Sequence, residues 1–370
     1  MKNIAYSEEI NDLNHEMRHY FAAANTCKGF VSFFPEIFDP AALHKIYILK
    51  GGPGVGKSTL MKKAARLAKE RGFDPVCYHC SSDPSSLDGV WIPETGKAIL
   101  DGTAPHVVDP RFAGAREVIV NLGEAWNLAA LEKEDERILA LCTAKSGCYR
   151  TAYRLLAAAK NADDELKDLG GACLDRQKMR AAIGRLCGRH LRHCAGGGVT
   201  HAVADAISCD GTVRFFTPEK RAGTLYFVKD VKNTASIFFA ELYDAARHMG
   251  ASVQAGVLPL DPAQIAFVVF PEASVCISRY DDAFCRSLDK AERPYKIINL
   301  GRFFDAEVFR ACRGKYRFTE KCREALCAAA VEELAQAGAL HAKLEEIYGA
   351  ATDYKKVTRM SDKVIAEVLR

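Results

Sequence analysis

Residues 46–60 read IYILKGGPGVGKSTL. An apolar run, Ile46 to Leu49, enters the segment Gly51-x-x-x-x-Gly56-Lys57-Ser58, and a helix is expected from Thr59 to about Glu70. Strand, glycine-rich loop and helix in that order form the context of a P-loop, not only its pattern. Glycines let the backbone curl so that its N–H groups face a phosphate chain. The helix N-terminus adds partial positive charge. The expected cradle is Gly51, Gly52, Gly54, Val55, Gly56, Lys57, Ser58 and Thr59. Lys57 supplies a mobile cation for the β- and γ-phosphates, and the Ser58 hydroxyl suits Mg²⁺, which takes few protein ligands. The cofactors this implies are ATP and Mg²⁺. A Mg²⁺-binding aspartate belongs at the end of a neighbouring strand. Asp101 in KAILDGT is the first candidate and Asp83 in VCYHCSSDP the second.

Self-comparison shows a duplication. LYFVK at 225–229 resembles IYILK at 46–50, an offset of 179, which sets Lys57 against Ser236 and Ser58 against Ile237. From Gly72 onward an offset of 178 holds without a gap. It pairs Asp83-Pro84 with Asp261-Pro262, Pro93-Glu94 with Pro271-Glu272, and Asn121-Leu122-Gly123 with Asn299-Leu300-Gly301. Upstream, Gly29-Phe30-Val31 resembles Gly211-Thr212-Val213. The second copy reads DVKNTASIF where the first has its glycine-rich loop, so it serves as an internal control. Asp101 becomes Arg279 and is lost together with the loop lysine, which supports a chemical role for Asp101. Asp83 and Glu94 persist, which points to architecture. Glu124 becomes Arg302. A carboxylate at a strand end suits activation of water, and equally suits a helix N-terminus. The catalytic candidates are therefore Lys57, Asp101 and Glu124, with Ser58 and Asp101 as metal ligands. His106 becomes Phe284; a γ-phosphate sensor and a packed loop histidine are both open readings.

Composition sets the outer bounds. The chain has 370 residues, is 49% hydrophobic and carries a net charge of +4. That length allows two domains, and the composition excludes a disordered chain. No apolar run reaches the roughly 18–20 residues of a membrane span. Glu8, Glu9, Asp12 and Glu16 stand where a secretory leader would be apolar. A cytoplasmic location follows as the expectation, with the fourteen cysteines as free thiols. Cys77-x-x-Cys80 sits in a strand and points its thiols to opposite faces. Cys187, His190, His193 and Cys194 are four potential zinc ligands that nothing forces together. From Arg176 to Arg192 the chain reads RQKMRAAIGRLCGRHLR, with no acid until Asp205. Such a helix suits phosphate or nucleic acid, or simply a solvated face.

Strands alternating with helices indicate an α/β architecture: a tandem repeat of P-loop NTPase-like domains, each a mostly parallel sheet flanked by helices, with helical extensions. The expected division is 1–193, with the intact loop, and 194–370, with a degenerate one. No Asn-Lys-x-Asp marks guanine specificity, no LSGGQ-like stretch marks a transporter ATPase, and no arginine-rich kinase lid is visible.

ILKGGPGVGKSTLMKK, YHCSSDPSSLDGVWIPE, AILDGTAPHVVDP and VNLGEAW together resemble an uncharacterised bacterial family of tandem P-loop ATPases, found mainly in Firmicutes and sometimes labelled nucleotide kinases. In that family both halves usually look like P-loop domains; here the second departs at Asp230 to Phe238. The resemblance implies an ATP-binding protein, a Mg²⁺-dependent ATPase or ATP-driven switch using the N-terminal site alone. A nucleotide or small-molecule kinase and a non-catalytic ATP-binding scaffold are the alternatives. The expected partners are a nucleotide and a protein docking on the C-terminal domain. Nucleic acid is less favoured, and no membrane is expected.

Overall fold

The structure is a computed structural model that describes residues 17–191 and 196–370. The first copy supplies β1 (Arg18–Phe21), β2 (Ala23–Thr26), β3 (Gly29–Ser32), β4 (Lys45–Lys50), β5 (Val76–His79), β6 (Leu87–Ile92), β7 (Lys97–Asp101) and β8 (Glu117–Asn121). The second supplies β9 (Val199–Ala202), β10 (Asp205–Ser208), β11 (Gly211–Arg214), β12 (Thr224–Lys229), β13 (Val253–Val257), β14 (Ile265–Phe270), β15 (Val275–Arg279) and β16 (Lys296–Asn299). Two six-stranded sheets result, ordered β1-β5-β6-β7-β4-β8 and β9-β13-β14-β15-β12-β16. Strand for strand they are the same sheet, which bears out the duplication.

Both sheets are mixed. β4 is parallel to β7 and β8, and β1 to β5, whereas β6 runs antiparallel to both its neighbours. The cause is local. Pro93 to Gly96 make a tight turn, with Gly96 at φ +66°, and so short a link joins only antiparallel strands. β14 repeats this through the Pro271–Ser274 turn.

The principal helices are α1 (Lys57–Glu70), α2 (Asp135–Gly171), α3 (Arg176–His190), α4 (Ala235–His248), α5 (Ala306–Ala350) and α6 (Tyr354–Val368). Apolar residues at helical spacing bury one face of α1: Leu60, Met61, Ala64, Ala65 and Ala68. Among the described residues no helix is long and apolar enough to cross a membrane.

The two compact units are not the sequential halves 1–193 and 194–370. One comprises 1–154, 205–215 and 328–370; the other comprises 155–204 and 216–327. The helical tails are exchanged. In the first unit α6, from the second copy, lays Val364, Ile365, Val368 and Leu369 against Tyr47, Leu49, Leu60 and Met61. In the second unit α3, from the first copy, lays Met179, Ile183 and Leu186 against Phe238, Phe239 and Leu242. The entry points match through the 178 offset. Asn127 N donates to Ala351 O and Asp353 N to Ala125 O in one unit; Asp305 N donates to Cys173 O and Asp175 N to Phe303 O in the other. Asp353 and Asp175 then cap their helices, each accepting backbone N–H bonds from the first turn. Chain order cannot announce this, because either tail has the amphipathic face that either sheet needs.

The lead-in hairpins also match. β2–β3 and β10–β11 turn on Thr26 and Ser208, whose hydroxyls donate to Gly29 O and Gly211 O. Both hairpins belong to the first unit, where buried Asn25 donates to Ile207 O at 2.9 Å.

Candidate functional site

β4 is the strand from which the glycine-rich loop leaves, flanked by β7 and β8 in parallel register. Its four central residues, Ile46 to Leu49, are buried, so the loop starts from a rigid base. Gly54 and Gly56 take φ of +68° and +93°, the left-handed region that glycine alone enters without strain. Gly56 caps α1, so the next residues, Lys57, Ser58 and Thr59, form its first turn. Val55 is buried against Leu122 and Ala125.

Lys57 turns back into its own loop. Its Nζ donates to the carbonyls of Gly51 at 2.8 Å and Gly52 at 2.9 Å, and lies 3.6 Å from Asp101 Oδ2. Asp101 ends β7 directly beside Leu49. Its other oxygen accepts from Thr103 N at 2.9 Å and Thr103 Oγ1 at 2.6 Å. The structure therefore brings together the loop lysine and the aspartate singled out by the second copy, and adds Thr103 as the residue that orients the carboxylate. Ser58 Oγ accepts the Leu87 N–H at 3.0 Å, which ties the first turn of α1 to β6.

The second copy shows what was lost. α4 has the same fourteen-residue span as α1 at an offset of 178, while β12 follows β4 at 179. The loop between is one residue shorter, so Lys57 corresponds to Ala235 and Ser58 to Ser236, a correction of the offset expected at this point. Asp230 occupies the N–H groups at the start of α4 from within the chain, its Oδ1 accepting from Thr234 N and Ala235 N.

Other candidates separate cleanly. Asp83 and Asp261 each accept the N–H two residues on, Ser85 at 3.0 Å and Ala263 at 3.2 Å, a shared turn device. Glu94 and Glu272 bind the equivalent residues Asp74 and Ser252. His106 is buried, stacks on Phe34 and pairs with Asp88 at 3.0 Å, so it is a packed loop histidine. Glu124 is exposed in the 3-10 turn Leu122–Ala125, where Lys356 Nζ donates to its backbone oxygen. Cys187 is buried in the second unit's core and His190 lies 2.9 Å from Tyr226 Oη; His193 and Cys194 lie outside the described residues. All thirteen described cysteines are free, and no three His, Cys, Asp or Glu among the described residues converge on a metal site.

Sequence reasoning missed the far wall of this loop. The end of α5 and the start of α6 press on it. Tyr354 Oη donates to Gly54 O at 2.8 Å, and a side chain at Gly52 would meet the rings of Trp126 and Tyr348 at 3.2 Å. The Glu345 carboxylate accepts from Gly54 N; burial raises its pKa, and nearby Asp83 adds to that. Burial, then the charges of Lys145 and Lys57, push His341 down to about 4. It is therefore neutral near pH 7, and its Nδ1 lies 3.3 Å from Lys145 Nζ. Burial lowers the pKa of Lys145 itself. Glu345 and His341 come from the second copy, nearly 300 residues along the chain from the loop. No motif links such distant positions; only the exchange of tails does.

Comparison with protein-family models, with curated proteins and with solved structures finds no match.

Proposed function

We propose that the first unit is a P-loop NTPase domain that binds ATP with Mg²⁺ and acts as a slow ATPase or ATP-driven switch, the second unit being its degenerate copy. The observation that carries this is Lys57 held among the carbonyls of Gly51 and Gly52, 3.6 Å from an aspartate ending the adjacent parallel strand. The donor set suits the ligand. Loop N–H groups and a helix N-terminus favour phosphate, and a hydroxyl with one carboxylate suits a hard cation that keeps most of its waters. Ser58 Oγ spends one lone pair on Leu87 N–H and retains another. Ser58 and Asp101 would hold the Mg²⁺, whose chemistry is to neutralise charge developing on the phosphate oxygens. Lys57 would bind the β- and γ-phosphates. Lys145 is a second cation close enough to Glu345 for their charges to interact.

For activation of water two carboxylates compare. The side chains of Glu124 and Glu345 are both exposed, but Glu345 accepts from Gly54 N in the loop itself, and desolvation raises its pKa, the direction that suits a proton acceptor. Glu345 is the better supported of the two. His106 offers a kinase no contact to an acceptor, because that side chain is committed to Asp88 and Phe34. The family resemblance carried by residues 46–126 agrees with this reading. Its test is Mg²⁺-dependent phosphate release from ATP, with and without an acceptor panel, in the wild type, Lys57→Ala and Glu345→Gln. Loss of turnover in Lys57→Ala is expected. Full turnover in that variant sinks the proposal, and ADP that forms only with an acceptor, without free phosphate, makes the protein a kinase.

A further inference from the structure

The basic stretch from Arg176 to Arg192 finds no use in the site above. In the second unit it forms α3, and beside it opens a cavity of about 480 Å³. Its rim carries Lys178, Arg185 and Arg189 from α3 and Arg302 from the turn after β16; Tyr226 and Asn299 also line it. Four cations face one concavity. Apart from Lys178, 3.6 Å from Asp175, no carboxylate among the described residues pairs with them. Arg189 and Lys296 depress the pKa of neighbouring His190, after the larger effect of its burial. The volume lies in the range of small-molecule sites.

The first unit holds the same elements at the 178 offset and shows which changes made the cavity. Lys178, Arg185, Arg189 and Arg302 correspond to Lys356, Lys363, Glu367 and Glu124. Two acids have become arginines. In the first unit Glu367 accepts the Tyr47 hydroxyl at 2.9 Å, and Lys356 donates to the Glu124 backbone oxygen at 2.7 Å, so these two groups are engaged within the protein. Tyr226 is the counterpart of Tyr47, and its hydroxyl lies 2.9 Å from His190 Nε2 instead of a carboxylate. The space itself has a cause as well. Ala182 stands where the first unit has Met360, which packs against Val55, Leu122, Ala125 and Val357. A shared framework has thus lost a filling side chain and both of its acids at one place.

We propose that this cavity is a binding site for a small phosphorylated molecule carrying at least two phosphate groups, independent of the glycine-rich loop and of Mg²⁺. Arg185, Arg189 and Arg302 supply forked donors that match phosphate oxygens. Lys178 adds a point charge, and Asn299 and the Tyr226 hydroxyl add neutral polar contacts. Concavity favours a compact ligand over an extended polyanion, which needs a groove or stripe.

Inorganic pyrophosphate without Mg²⁺, titrated by calorimetry at fixed ionic strength into the full chain carrying Lys57→Ala, tests the site apart from the first unit's chemistry. One pyrophosphate per chain is expected. Arg185→Ala and Arg302→Ala, both exposed positions, should each weaken it about tenfold. Ala182→Met refills the space without touching a charge and should weaken it at least tenfold; a retained thermal transition shows that the variant is folded. ADP in parallel tells whether a nucleoside adds affinity, and either order of affinities supports the site. No binding to the Lys57→Ala chain overturns the proposal, as does a folded Ala182→Met with unchanged affinity. A single-stranded oligonucleotide that outcompetes pyrophosphate and ignores Ala182→Met overturns the small-ligand assignment.

Discussion

Gly54 joins two demands at one position, and they can be separated by experiment. Its φ is +68°, and a Cβ there would lie 2.7 Å from the carbonyl oxygen of Glu345 and 3.1 Å from its Cα. Both are backbone atoms of α5, which cannot rotate aside as a side chain would. Gly54→Ala therefore carries the left-handed penalty, about 1–2 kcal/mol, and an overpacking cost of about 1–3 kcal/mol. Gly72 is the control. It has φ +81° with nothing within 4 Å of the added carbon, so Gly72→Ala carries only the first cost. The difference between the two variants measures the contact of α5 with the loop. Both tryptophans, Trp91 and Trp126, belong to the first unit, so fluorescence-detected urea unfolding follows that unit alone. The expectation is a midpoint for Gly54→Ala well below that for Gly72→Ala, corresponding to about 1–3 kcal/mol. Losses equal within about 0.5 kcal/mol would show that α5 does not bear on the loop, and the case for Glu345 would fall with it.

Ile365→Ala should destabilise the tryptophan-reported unit by about 2–5 kcal/mol, although the residue belongs to the second copy; a loss confined to the fluorescence-silent unit would refute the exchange of tails. Thr103→Val removes one of the two bonds that orient Asp101 and should lower ATP turnover less than Asp101→Asn does; the reverse order in a phosphate-release assay would remove Asp101 from the site. His79 is buried, and burial holds its pKa down at about 4, below the ordinary 6.5. The unfolded chain binds more protons between those values, so His79 contributes stability that is complete above about pH 6.5 and lost as pH falls toward 4. The fluorescence-detected midpoint should fall over that window, and His79→Leu should flatten the slope; an unchanged slope would refute the assignment.

The sequence makes some of this architecture legible and hides the rest for physical reasons. Lys57 and Ser58 are readable because the glycine-rich turn between strand and helix constrains several adjacent residues at once. Asp101 is readable from its place after an apolar strand, and the repeat, which sets it against Arg279, separates it from Asp83. The antiparallel β6 is signalled by Pro93 and Gly96 three residues apart, a turn too short for a crossover. The shortened second loop is invisible to a fixed offset, because β12 and α4 each look intact on either side of the missing residue. Glu345, His341 and Lys145 carry no local signature at all. Their place depends on which sheet a helix covers, and α3 and α6 present similar apolar faces to either sheet. The unit-two cavity is hidden for a related reason: a Met-to-Ala difference reads as ordinary core variation until the surrounding acids are seen to have become arginines.

The exchange of tails makes the two copies hostages to one another. The second copy could lose its loop lysine and glycines without harm to the first, but it cannot lose α6, because that helix finishes the first unit's core. A gene cut after residue 193 would yield two products, each missing a wall that the other carries. The arrangement is what an arm-swapped homodimer becomes when its two chains are joined end to end. Permanent linkage lets one copy keep the glycine-rich loop and leaves the other free to lose it.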